Sequence, residues 1–197
     1  MQLQIKDRRS HMFRWSPTCT HRCELPKLFK SYQVGVEVGV LRGRYAYSLL
    51  SQWPGTLYLV DSWEEYPEYV DIPQNHEDNY QRTLDRLTPF AGRFQVWRER
   101  SSEDLASRIG MVDFAYVDAN HAFEYVMQDL QTWWKVIKQG GILAGHDLFQ
   151  VEHPGVTEAL VLFAKEHNQT VYMVPGKDGC ECSEGGVPSW YIRKGER

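Results

Sequence analysis

The sequence predicts an α/β fold built on a mostly parallel sheet, and three observations predict it. The first is the run Val34-Gly35-Val36-Glu37-Val38-Gly39-Val40-Leu41-Arg42-Gly43, in which a β-branched apolar stretch gives way to glycines and a helix-compatible segment, 44–52. The second is the alternation that continues from it: short apolar runs separated by stretches of helical spacing. The third is an acid at or beside the end of four of those runs, Glu37, Asp61, Asp118 and Asp147. In an open parallel sheet, ligands bind beyond the carboxyl ends of the strands.

Element by element, residues 1–24 are polar and irregular and read as an arm or lid, with a core from 25 to 197 as a single domain. Residues 25–32 suit a short helix, 34–38 the first strand and 44–52 the first crossover helix. The second strand, 56–60, runs into Asp61. An acidic, aromatic loop follows, Ser62-Trp63-Glu64-Glu65-Tyr66-Pro67-Glu68-Tyr69, and residues 74–87 read as a helix. Residues 94–97 form a third strand. Ser101 or Ser102 caps a short helix, with Glu103 and Asp104 in its dipole-favoured first turn. The fourth strand, 114–117, ends on Asp118. Helix 123–138 places Phe123, Val126, Leu130, Trp133 or Trp134, and Ile137 on an apolar stripe, and Gly140-Gly141 is expected to end it. Strand 142–144, helix 157–167 and strand 170–174 follow. A glycine-rich loop then leads to a last strand, 190–193. So close a pair of strands is antiparallel, since a parallel link needs a long crossover.

At 197 residues, with 42% hydrophobic and 13% aromatic residues, the chain suits one globular domain. A net charge of −4 does not suggest a general nucleic-acid surface. No apolar run approaches a membrane span and no secretory signal is visible, so a soluble, cytoplasmic protein is expected, without membrane or nucleic-acid partners. Cys19 and Cys23, with His21 between them, and Cys180 and Cys182 form two close pairs. A zinc site built from both ends of the chain is one reading. Free thiols in two loops is the plainer one and is preferred.

The glycine turn carries the first chemistry. A dinucleotide fingerprint reads G-x-G-x-x-G. Here Glu37 stands two before Gly39, no glycine lies between Gly39 and Gly43, and no P-loop lysine follows. Glu37 would repel a pyrophosphate and suits a cationic ligand, such as the amino group and sulfonium of S-adenosylmethionine. Gly39 allows a tight turn and close backbone approach. Asp61 is placed to accept from ribose hydroxyls. A plain α/β turn with a capping glycine is the competing reading.

The segment Tyr116-Val117-Asp118-Ala119-Asn120-His121 carries the second. Asp118 and His121 lie three apart across a strand-to-helix turn, so both can face one cleft. An imidazole titrating near neutrality suits removal of a hydroxyl proton. Asp118 can accept from the cofactor, coordinate a metal or orient the histidine. The competing reading has His121 bonding the local backbone.

These motifs, with Leu59-Val60-Asp61-Ser62-Trp63 and Gly140-Gly141-Ile142-Leu143-Ala144-Gly145-His146-Asp147, resemble the class I S-adenosylmethionine-dependent methyltransferases. Within them the chain is similar to the methyltransferase family 24 type, related to macrocin and mycinamicin sugar O-methyltransferases and to cephalosporin hydroxylase-like proteins. The resemblance covers about residues 25 to 150. It implies a Rossmann-like three-layer sandwich with a seven-stranded sheet, the last strand antiparallel. It implies that Glu37, Gly39 and Gly43 hold the methionine part of the cofactor and that Asp61 binds the ribose. Ser62, Trp63, Ser101 and Ser102 would lie near the adenine, and Asp118 would border the cofactor. It implies His121 as base, and a magnesium ion at the positions of Asp118, His146 and Asp147. The relatives carry a carboxylate where this chain has His146, which weakens a site for a hard, oxygen-seeking cation or moves it towards manganese, iron or zinc.

The expected reaction is methyl transfer to an oxygen of a small hydroxyl-bearing acceptor such as a sugar, within a monomer or homo-oligomer. The loop from Trp63 to Tyr69 and the arm would wall the acceptor pocket, unless that loop is an ordinary surface cover. A nicotinamide-dependent oxidoreductase and a non-catalytic cofactor-binding module are the alternatives.

Overall fold

The computed structural model describes residues 12–29, 31–65, 75–176 and 186–196. Its strands are β1 (Phe13–Trp15), β2 (Val34–Val38), β3 (Thr56–Val60), β4 (Phe94–Trp97), β5 (Val112–Val117), β6 (Ile137–Gly145), β7 (Val171–Val174) and β8 (Ser189–Arg193). Its helices are α1 (Arg44–Gln52), α2 (His76–Leu87), α3 (Glu103–Ile109), α4 (Phe123–Val136) and α5 (Pro154–Glu166). The eight strands form one sheet in the order β1-β7-β8-β6-β5-β2-β3-β4. β8 is antiparallel to both β6 and β7, and the other pairs are parallel. The chain thus has the expected Rossmann-like architecture.

An eighth strand comes from the N-terminal arm. Phe13 to Trp15 pair in parallel with Val171 to Met173. Three residues are too few to display a period, so the sequence reads as irregular there. Phe13 also packs on Phe149, ring centroids 5.5 Å apart.

Local chemistry accounts for the elements. All six residues of β5 are buried, as expected of an inner strand covered on both faces. α2 is capped by the Asn75 side chain, which accepts from the Asp78 N–H, and α3 by Ser102, which accepts from Leu105 N–H. α3, α4 and α5 cover one face through Leu105, Leu130 and Leu160. α1 and α2 cover the other through Leu49 and Leu87, joined by Leu25 of a short 3-10 turn, Arg22–Leu28. That turn replaces the expected helix at 25–32, with Pro26 inside it.

Gly140-Gly141 does not end α4. The helix stops at Val136 and the chain enters β6 at once. Ile137 pairs with Val112, and the register then shifts before Ile142 pairs with Phe114. The two glycines lie in that irregularity, Gly140 at φ +78. Among the described residues, no helix is long and apolar enough to cross a membrane.

Cys19 is a buried free thiol, whereas Cys23 is disulfide-bonded. The reading of Cys23 as a free thiol is therefore corrected. A disulfide sulfur is also no thiolate ligand for zinc. Cys180 and Cys182 lie outside the described residues.

Candidate active site

A cavity of about 560 Å³ opens over the carboxyl ends of β2, β3, β5 and β6. Its wall includes Glu37, Gly39, Asp61, Ser62, Trp63, Ser101, Asp118, His121, His146 and Asp147. Two residues expected there lie elsewhere. Gly43 opens α1 at φ +65, and Ser102 uses its hydroxyl in the α3 cap.

The glycine turn is formed around backbone contacts. Gly39 has φ +84, and a Cβ there would lie 2.0 Å from the Asp118 carbonyl oxygen. The glycine therefore lets the tips of β2 and β5 touch. Asp61 holds the same turn. One oxygen accepts from Val40 N–H (2.8 Å) and Leu41 N–H (3.0 Å), and the other from Trp63 N–H (2.8 Å). Two carboxylate oxygens offer about four acceptor positions, so roughly one is left for a ligand. Trp63 braces the turn from the other side, donating from Nε1 to Leu41 O (2.8 Å). Ser101 lies in the wall with its hydroxyl accepting from Trp133 Nε1 (3.0 Å).

Glu37 is 2% exposed, and its Oε2 has no partner among the described residues. Burial raises its pKa well above the usual carboxylate range. Asp118 and Asp61 add to the rise, and Arg22 opposes it. Arg22 reaches the cavity from the 3-10 turn. Its Nη1 donates to Asp118 Oδ2 (3.1 Å) and to the Tyr116 hydroxyl (3.3 Å), and the guanidinium lies over the Tyr45 ring.

Asp118, His121 and Asp147 present ligand atoms within 4.8 Å of one another. His121 Nε2 is 3.0 Å from Asp147 Oδ2 and 4.0 Å from Asp118 Oδ1. Asp147 has left the strand conformation, with φ +56. Strand alternation therefore no longer separates it from His146, whose Nδ1 is 3.2 Å from Asp147 Oδ1. His146 is 6% exposed and its Nε2 has no partner among the described residues. Burial disfavours charge on His121, but the Asp118 and Asp147 carboxylates outweigh it and its pKa is pushed up to about 10. Asp147 is held far below the usual carboxylate range, the two histidines overcoming the cost of its burial. In this arrangement His121 is an imidazolium at neutral pH. A further positive charge engaging the same carboxylates would lower its pKa again.

Sequence reasoning did not find Arg22, Asp129 or His153. Arg22 lies in the irregular arm, where no motif marks it. Asp129 falls inside the α4 pattern as an ordinary polar position, yet it is buried and lines the cavity. Burial pushes its carboxyl up to about 7, against a hydrogen bond from Ser101. His153 lies beside His121, ring centroids 4.3 Å apart. The loop expected to wall the acceptor is described only as far as Glu65, and residues 66–69 lie outside the described residues.

Comparison with known proteins adds to this geometry. A family model described as a methyltransferase domain, Methyltransf_24, matches residues 36–148. No curated protein gives a significant match. Among solved structures, the chain is similar to cofactor-bound Rv0187 from MTB. The TM-score is 0.64 at 14% identity, covering 89% of this chain and 78% of that one. It is similar to the O-methyltransferase TomG from Streptomyces achromogenes, solved with S-adenosylmethionine, at TM-score 0.62 and 12% identity, covering 88% and 78%. It also resembles an rRNA methylase from Streptococcus thermophilus, at TM-score 0.60 and 13% identity, covering 86% and 91%. Such identities show the shared fold alone. The family match spans more than half of the chain and takes in the glycine turn, Asp61 and the Asp118–Asp147 cluster, so the chain belongs to this methyltransferase family and is a class I S-adenosylmethionine-dependent methyltransferase.

Proposed function

We propose that the enzyme methylates a hydroxyl of a small molecule, a sugar or another metabolite bearing two neighbouring oxygens. The observation that carries this reading is the convergence of Asp118, His121 and Asp147 within 4.8 Å on the cavity wall. Glu37 would bind the amino group of the donor, the turn held by Asp61 would receive the ribose, and Ser101 would lie near the adenine. The net charge of −4 favours a small acceptor over an RNA.

The same cluster fits a divalent cation. The Asp118 and Asp147 carboxylates converge on one point of the wall and offer the oxygen donors that such a cation prefers. Asp118 Oδ2 is engaged by Arg22, which leaves Oδ1, the oxygen facing the histidines. The ligand set so read is Asp118 and Asp147, with His146 behind Asp147 as a nitrogen donor and His121 left beside them as the base. When bound, such a cation would supply charge that polarises acceptor oxygens and competes with the imidazolium for the carboxylates.

The chain's own part is positioning and proton removal. Asp118 and Asp147 orient His121 towards the acceptor hydroxyl. As the oxygen attacks the methyl carbon, the O–C bond forms and the S–C bond breaks. The hydroxyl proton passes to His121, and the donor leaves as a neutral thioether. The test is mass spectrometry of vicinal diols, single alcohols and rRNA incubated with the protein and methyl-labelled donor, before and after chelation with add-back of magnesium, manganese or zinc. We expect label on diols and higher turnover with added cation. Label on rRNA alone would overturn the acceptor assignment, and full activity after chelation would remove the cation from it.

A further inference from the structure

The floor of the cavity holds two buried ionisable side chains of opposite sign, each with an unused polar atom. Arg22 is 7% exposed and is the only arginine or lysine buried among the described residues. Nη1 makes both of its hydrogen bonds named above, to Asp118 and Tyr116, while Nε is buried with no partner among the described residues. Glu37 is 2% exposed with Oε2 in the same condition. Both side chains line one cavity and attract each other electrostatically, yet these two atoms do not satisfy one another.

A buried N–H without an acceptor is costly, and a guanidinium left so is costlier. A ligand that brings an acceptor to Arg22 and a donor to Glu37 relieves both atoms at once. An α-amino acid does this, carrying a carboxylate and an ammonium on one carbon. Arginine's planar fork suits a carboxylate in particular. The surroundings sharpen the requirement. Glu37, Asp61 and Asp118 all border the cavity, so an incoming carboxylate would meet repulsion without a cation at hand. Asp118 holds the guanidinium on one side, which leaves its Nε edge for the ligand.

We propose that Arg22 recognises the α-carboxylate of the methyl donor while Glu37 takes its α-ammonium, so that the cavity floor selects a zwitterionic tail. This rests on the methyl-donor reading of the cavity and adds a specificity residue drawn from the N-terminal arm. The arm then belongs to the donor site as well as to the acceptor side.

The test is calorimetric titration of the full chain with S-adenosylmethionine and with decarboxylated S-adenosylmethionine, which keeps sulfonium and ammonium and lacks only the carboxylate. The wild type should prefer the carboxylated donor by about tenfold to a hundredfold, the contribution of charge-assisted hydrogen bonds. Arg22→Met should lose that preference by weakening the carboxylated donor alone, and Arg22→Lys should keep a reduced preference. Thermal melts confirm folding of each variant. If Arg22→Met does not fold, the wild-type preference and Arg22→Lys decide. Equal binding of the two donors by the wild type overturns the proposal, as does a folded Arg22→Met that keeps the preference. Binding of neither donor overturns the donor reading itself, a result distinct from equal binding of both.

Discussion

Asp61 gives three of its acceptor positions to backbone N–H groups, so its loss is felt before any ligand arrives. Asp61→Asn cannot accept all three, because its NH2 faces a donor. We expect a drop of about 2 kcal/mol in unfolding free energy by urea titration, with donor affinity about tenfold weaker. Weaker binding with unchanged stability would mean that the carboxylate serves the ribose and not the turn. Asp129 ties stability to pH. Its buried carboxyl titrates at about 7 in the fold and at about 4 in the unfolded chain, so the folded state keeps a proton that the unfolded chain releases. The resulting stability is complete below about pH 4 and is lost as pH rises through about 7. Asp129→Asn is neutral throughout, so the wild type should lose a few kcal/mol against it between about pH 5 and pH 8 in denaturation curves. A parallel pair of curves would place Asp129's charge outside the fold's interior. His121→Ala should lower turnover by about 10² or more while donor affinity stays within about twofold, as kinetics and calorimetry would show. Residue types at strand tips were legible in the sequence because chemistry restricts them. Their partners were not, since a carboxylate bonding a ribose and one bonding three backbone amides look alike in one dimension.

The elements were legible where a period ran long enough. β2, β3 and β4 fall where their apolar runs place them, and α4 starts at Phe123 as its stripe predicts. The misread glycines show the limit. Gly140-Gly141 follow a helix and resemble a terminator, yet they serve an irregularity inside a strand pairing that depends on Val112, far away in sequence. The 3-10 turn was displaced for a related reason, because Arg22 belongs to it through contacts with β5 that no local pattern announces. One pair of substitutions separates strain from crowding at the glycines. Gly92 has φ +82 and nothing within 4 Å of the place a Cβ would occupy, while Gly39 has φ +84 with the Asp118 carbonyl at 2.0 Å. Gly92→Ala should cost about 1–2 kcal/mol, from backbone strain alone. Gly39→Ala should cost about 3 kcal/mol or more and depress turnover as well, because the obstructing atom is backbone. Equal costs in denaturation would mean that the two strand tips separate easily.

Across the whole molecule, the sheet order makes the two chain ends unequal. β8 lies between β6 and β7, although it is the last strand in sequence, whereas β1 adds only an outer edge. A chain ending at Pro188 should therefore fail to unfold cooperatively by circular dichroism, and a chain starting at Ser16 should retain a sharp transition and keep Arg22. The parallel core was legible because each crossover repeats a strand–helix unit. The edge strand was not, because three residues take their conformation from β7. The contact between Gly39 and Asp118 has a consequence for changing what this enzyme accepts. Gly39 N–H donates to Val60 O and Asp118 N–H to Val38 O, so the tips of β3, β2 and β5 are fastened in series by backbone. The glycine turn and Asp118 then form one fixed jig, with no hinge between them. A designer can vary the cavity wall away from these tips, at Gln150 or His153, and leave the jig as it is.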